Sequence, residues 1–143
     1  MRIFLDANIL VSVLNKEYPL FTVTSRIISL ADKSKFTLFT SPVCLAIAFY
    51  FAEKKYKSSS AKKRIQILCD HLSIASANKS TVLQSLNNPA VNDFEDGLEY
   101  YSAVENKCNC IITEDVEDFY FSKIEVLSSE IFFEKYLLNI VKK

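Results

Sequence analysis

Histidine occurs once in this chain, at His71, glycine once, at Gly97, and proline three times. Each scarcity excludes something. With so little glycine and proline, the chain is neither disordered, nor collagen-like, nor an all-β fold built on many tight turns. With one histidine and no C-x-x-C among Cys44, Cys69, Cys108 and Cys110, there is no zinc-ligand pattern, and no motif supports a Ser–His–acid triad. The thiols read as buried and unpaired, in a reducing cytoplasm. A charge excess is also missing: 17 basic residues balance 17 acidic ones for a formal net charge of zero. Strongly basic duplex-DNA binders depend on many Lys and Arg contacts to phosphate, so any nucleic-acid enzyme here must rely on a local patch. No apolar run reaches the roughly 18 residues of a membrane helix, and no secretion signal opens the sequence.

What is present is core-forming material. Half of the 143 residues are hydrophobic and 13% are aromatic, enough for one domain spanning 1–143. The chain opens with Ile3-Phe4-Leu5, an apolar run followed at once by Asp6. Ile9, Leu10, Val13 and Leu14 then recur at helical spacing. This predicts a buried strand that delivers Asp6 at its C-terminal end and turns into a helix. In parallel sheets ligands bind outside the carboxyl ends of the strands. The competing reading makes Asp6 a helix cap and nothing more.

Further along, Pro19 breaks the pattern and Leu20 to Ala31 suits an amphipathic helix. Phe36 to Thr40 reads as a strand, and Ser41-Pro42 starts a helix to Lys55 that is apolar almost all round. Such a helix is buried or turns one face to a partner. Ser58-Ser59-Ser60 separates it from a helix over Ala61 to Leu72, and Leu72 to Ala75 suits a short strand. Thr81, Val82, Leu83 and Leu86 suggest another helix. One starting at Asn92 or Asp93 would bury Phe94, Leu98, Tyr101 and Ala103 or Val104. Cys110 to Thr113 and Ile124 to Leu127 read as strands. Ser128-Ser129 caps a closing helix carrying Ile131, Phe132, Phe133, Tyr136, Leu137 and Ile140. Strands alternating with helices predict an α/β domain with a mostly parallel sheet.

Carboxylates gather at three element ends: Asp6; Asp93, Glu95 and Asp96; and Glu114, Asp115, Glu117 and Asp118. If the strands ending at Asp6 and Thr113 are neighbours, these acids share one edge of the sheet. Acids so placed repel one another unless a cation balances them, and hard oxygen-seeking ions such as Mg²⁺ or Mn²⁺ are the natural answer. Against this, acids in a first helical turn favour the macrodipole by about 0.3–1 kcal/mol each, and 114–118 reads equally as a solvated loop.

Three stretches, in order, resemble PIN domains, with the VapC-like toxins of bacterial toxin–antitoxin pairs as the nearest branch. They are Ile3-Phe4-Leu5-Asp6-Ala7-Asn8, Asp93-Phe94-Glu95-Asp96-Gly97-Leu98-Glu99-Tyr100-Tyr101-Ser102-Ala103 and Ile111-Ile112-Thr113-Glu114-Asp115-Val116-Glu117-Asp118-Phe119. The resemblance implies a three-layer PIN-like fold and a ribonuclease dependent on Mg²⁺ or Mn²⁺. Asp6, Asp96 and Asp115 would be metal ligands, and Asp118 a further ligand or outer group. Asn8 and Thr113 would orient them, and Asp93 would assist from one turn back. RNA would be the substrate and a short antitoxin or a second copy of the chain the partner. One departure stands out: many PIN nucleases carry a glutamate where alignment places Ile47. The alternative function is therefore a catalytically weak interaction module that binds a partner protein or RNA. The basic cluster Lys54, Lys55, Lys57, Lys62, Lys63 and Arg64 either tracks an RNA backbone or is a solvated helix face.

Overall fold

The computed structural model of the chain describes residues 1–138; the expected helical position Ile140 lies outside them. Five strands pair among these residues: β1 (Arg2–Leu5), β2 (Thr37–Thr40), β3 (Ser73–Ile74), β4 (Cys110–Ile112) and β5 (Glu125–Leu127). They form one sheet in the order β3-β2-β1-β4-β5, and every pairing is parallel. The helices that flank it are α1 (Ala7–Leu14), α2 (Leu20–Ile28), α3 (Pro42–Lys55), α4 (Ser58–Cys69), α5 (Lys79–Asn87), α6 (Phe94–Glu105) and α7 (Ser129–Phe132).

The two most apolar strands take the middle of the sheet. Ile3, Phe4 and Leu5 on β1 and Cys110, Ile111 and Ile112 on β4 are all fully buried, as expected for parallel strands covered on both faces. The register aligns Leu5 with Ile112, so the next residues, Asp6 and Thr113, leave the sheet side by side. After β1 the chain forms β2 on one side, and only later β4 on the other. The gap between β1 and β4 is thus a topological switch point, where ligands of parallel sheets bind.

Several helix boundaries follow from local chemistry. Ser41 caps α3 by accepting from the Cys44 amide at 3.1 Å, with Pro42 at the first helical position. The serine triplet is not a separator. It forms the first turn of α4, after Tyr56 and Lys57 have taken extended backbone angles. Continuation of α2 tightens into a 3₁₀ turn at Ser29–Asp32.

Packing sets the faces of three helices and corrects the one expected for α6. Helix α3 buries only the small stripe Cys44, Ala48 and Ala52, which lets α1 come close, and leaves Tyr50 and Phe51 exposed. On α5 the buried residues are Thr81 and Ser85, while Leu83 and Leu86 face out. On α6 the buried residues are Gly97, Glu99, Tyr100, Ser102 and Ala103, while Phe94 and Val104 are exposed. On α5 and α6 the cause is the close approach of the two helices. A Cβ added at Gly97 would meet Val91 Cγ1 at 2.8 Å and Ser85 Cβ at 3.1 Å, so the contact admits small residues and turns the large ones away. Gly97→Leu is expected to destabilise by about 1–3 kcal/mol through overpacking, despite the better helix propensity of leucine. An unchanged denaturant midpoint would contradict this reading of the interface.

Candidate functional site

The C-terminal edge of β1 and β4 opens into a cavity of about 520 Å³ lined by Asp6, Asn8, Asp93, Glu95, Asp96, Glu114, Asp115 and Asp118, with Glu17, Ala7, Val11, Leu20, Ile47 and Phe51 completing it. Eight of the fourteen lining residues are acids, and none is lysine or arginine. Chain segments a hundred residues apart meet here because β1 and β4 are neighbours.

Asp6 is buried and held at both oxygens. Oδ1 accepts from the Ala7 amide at 2.6 Å and Oδ2 from the Thr113 hydroxyl at 2.7 Å. It therefore caps α1 and also lines the cavity, so the two readings of Asp6 do not compete. Thr113, also buried, accepts in turn from Asn8 Nδ2 at 3.2 Å and from the Asp115 amide at 3.0 Å. Asn8 Nδ2 further donates to Asp115 Oδ2 at 3.2 Å, and Asn8 Oδ1 accepts from the Glu114 amide at 3.2 Å. Asn8 and Thr113 thus tie the loop after β4 to the end of β1. Thr113→Val, nearly isosteric, strips buried Asp6 of a donor and the loop of an acceptor. Its expected cost is about 1–3 kcal/mol; Thr113→Ser, which keeps the hydroxyl, should lose much less in thermal melts.

Asp93 caps α6, its Oδ1 accepting from the amides of Glu95 at 2.9 Å and Asp96 at 3.3 Å. That helix start aims Asp96 at the cavity. Burial first, then the charges of Asp93, Asp6, Asp118 and Glu95, push the Asp96 carboxyl up to about 7. Burial and the charges of Asp93 and Asp6 raise Glu95 as well. Asp115 and Asp118 are exposed on the loop and the 3₁₀ turn Val116–Phe119. Glu114 lines the cavity but accepts from the Ser129 amide at 3.1 Å and from the Ser129 hydroxyl, which ties it to α7.

Sequence reasoning missed Glu99. It is 1% exposed, one turn beyond Asp96 on α6, and Cys44 Sγ donates to its Oε1 at 2.7 Å. Ligand atoms of Asp6, Cys44 and Glu99 all lie within 4.8 Å of one another, a grouping that Asp6, Asp96 and Asp115 do not reach. A thiol suits softer ions than Mg²⁺. Burial, the hydrogen bond to Asp6 and the nearness of Cys44 raise the Glu99 carboxyl far above its ordinary value and hold it neutral, and burial raises the Cys44 thiol too. Cys44 and Glu99 thus form a hydrogen-bonded pair packed against Asp6. Its one sequence signal was the i, i+3 spacing that puts Glu99 on the face of Asp96.

Ile47 lines the same cavity as the acids. The basic cluster does not enter it. Lys54 Nζ sits 4.2 Å from the centre of the Tyr50 ring, Lys55 donates to the Asn15 carbonyl, and the Arg64 guanidinium stacks 3.8 Å above Tyr56. Lys62 and Lys63 are exposed on α4.

A parallel α/β fold with an acid-lined cavity at the switch point defines a class; comparison with known proteins defines the family. A PIN-domain family model matches residues 2–117, and the chain belongs to the PIN-domain family. No curated protein sequence matches it significantly. Among solved structures, VapBC2 of Rickettsia felis, bound to a DNA fragment from its promoter, is similar at 18% identity and TM-score 0.68, covering 90% of this chain and 98% of that one. VapBC-1 of nontypeable Haemophilus influenzae is similar at 18% identity and TM-score 0.67, covering 91% and 99%. Mycobacterium tuberculosis VapC20, a toxin that cleaves the sarcin–ricin loop, is similar at 13% identity and TM-score 0.64, covering 86% and 98%. At these identities the likeness is one of fold.

Proposed function

We propose that this PIN domain is an endoribonuclease that works with a divalent cation, Mg²⁺ or Mn²⁺, as the toxin of a toxin–antitoxin pair. The observation that carries the reading is the cavity lining: eight acids and no basic residue at the switch point of the sheet. The donor set fits a hard cation. Carboxylate oxygens are its preferred ligands, and the charges crowded round Asp96 are the imbalance that such an ion relieves. Asp6, Asp96 and Asp115 would hold it, with Asp118 as a further ligand or outer group. A cation bound there supplies positive charge to the phosphodiester oxygens and makes water a better nucleophile at neutral pH.

The chain's own residues do the positioning. Ala7 and Thr113 fix both oxygens of Asp6, Asn8 fixes Asp115, and the cap at Asp93 sets the direction of Asp96. The likeness to the VapBC structures supports a protein antitoxin as partner. The test is RNA cleavage by the purified protein with Mn²⁺ or Mg²⁺, against Asp6→Ala and Asp96→Ala. Metal-dependent cleavage absent from both variants supports the enzyme. A second reading, an interaction module without catalysis, is favoured by Ile47 at the acid position of the cavity; it predicts no cleavage and no cation uptake by calorimetry.

A further inference from the structure

The cavity lining is of two kinds. Besides the carboxylates it includes Val11, Leu20, Ile47 and Phe51, apolar side chains with no place in the chemistry of a cation. Ile47 and Phe51 are four residues apart on α3 and so share a face. Phe51 is 43% exposed and Tyr50 57%. Their rings meet edge to face at 5.4 Å, and Lys54 Nζ lies 5.4 Å from the centre of the Phe51 ring as well. One exposed ring, Phe51, therefore lines the acid-lined cavity, with a second ring and a cation beside it.

We infer that Phe51 and Ile47 form a base-stacking subsite, which takes an unpaired nucleobase next to the scissile phosphate, with Lys54 facing the backbone. The inference rests on the ribonuclease reading and names how that site selects its substrate. Continuity decides the occupant, because the apolar wall and the acids line one cavity, and in RNA the group next to any phosphate is a nucleoside. Every base offers a π-face to an aromatic ring, and a lysine within 5.4 Å of the ring centre is near enough to meet the next phosphate. In a duplex the base faces are covered by stacking, whereas loops and single strands can splay a base into a pocket. The cavity, about 520 Å³, has room for such a group. Ile47 then has a positive role: it keeps the wall beside the base apolar where a glutamate would charge it.

The test uses the full chain carrying Asp96→Asn, so that cleavage does not deplete the probe. An unpaired oligoribonucleotide containing 2-aminopurine is titrated with Mg²⁺ present, beside the same sequence as a duplex. Stacking should quench the fluorophore. Adding Phe51→Ala should remove the quench and weaken single-strand binding roughly tenfold, Phe51→Trp should restore both, and the duplex should respond to neither. Equal binding and quenching with Phe51→Ala overturns the inference. So does unchanged RNA binding together with a shift from dimer to monomer, which assigns the face to a second copy of the chain. If the unsubstituted protein cleaves RNA while Phe51→Ala keeps its KM, the subsite is wrong and the ribonuclease reading stands. If it cleaves no RNA, the reading fails on its own, and the quench still reports on the wall.

Discussion

Asp96→Asn is expected to abolish RNA cleavage and, in cation-free buffer at pH 8, to raise the melting temperature. The two effects come from one cause. Burial and four neighbouring carboxylates hold the Asp96 carboxyl at about 7 rather than 3.8, so above that pH its charge is present at a cost to the folded state. Asparagine keeps the shape and removes the charge. The same charge is what the proposed cation would use, and losing a ligand should reduce cleavage by roughly a hundredfold or more, in line with the several kcal/mol of charge stabilisation that a bound metal supplies. A site that sacrifices stability for activity shows this dissociation. A purely structural acid would show the reverse, a lower melting temperature with little change in function. Asp6→Asn is a less clean probe, since Asp6 also caps α1 and receives the Thr113 hydroxyl.

The second large effect is in the coupling of pH and cation to stability. An acid whose folded pKa is raised binds its proton more tightly in the native chain. Its contribution is fully present below the unfolded pKa near 3.8 and is lost as pH rises through about 7. Glu95, also raised, adds to the same trend. Cation-free protein should thus lose stability between about pH 4 and 7. Mn²⁺ or Mg²⁺ binds the ionised carboxylates and should reverse that loss. The expected record is a melting temperature insensitive to Mg²⁺ at pH 5, where protons compete, and clearly raised by it at pH 8. Asp96→Asn should flatten both trends. A Mg²⁺ response of equal size at both pH values would show that the cation acts elsewhere.

The basic cluster illustrates how one pattern resolves differently in space. Lys54, Lys55 and Arg64 are engaged with the rings of Tyr50 and Tyr56 or with the Asn15 carbonyl. What reaches the cavity from α3 is apolar: Ile47 and Phe51. Charge counted along the chain pointed at lysines; the helix presents a ring to the cavity, with Lys54 beside that ring.

The sequence by itself determined the parallel α/β frame, because apolar strands followed at once by acids, alternating with capped helices, leave few other arrangements. It also put Asp6, Asp115 and Asp118 after strands and Asp96 in the first turn of a helix; the register of Leu5 against Ile112 then brought the two strand ends together. Periodicity erred on α6, where it assigned Phe94 to the core and the residue is exposed. Interhelical distance is a tertiary quantity: the close contact at Gly97 admitted Ser85, while Leu83, Leu86 and Phe94 face outward. Glu99 was illegible for a related reason. A lone glutamate in a helix reads as solvated, and only packing against Asp6 and Cys44 makes it a buried neutral acid.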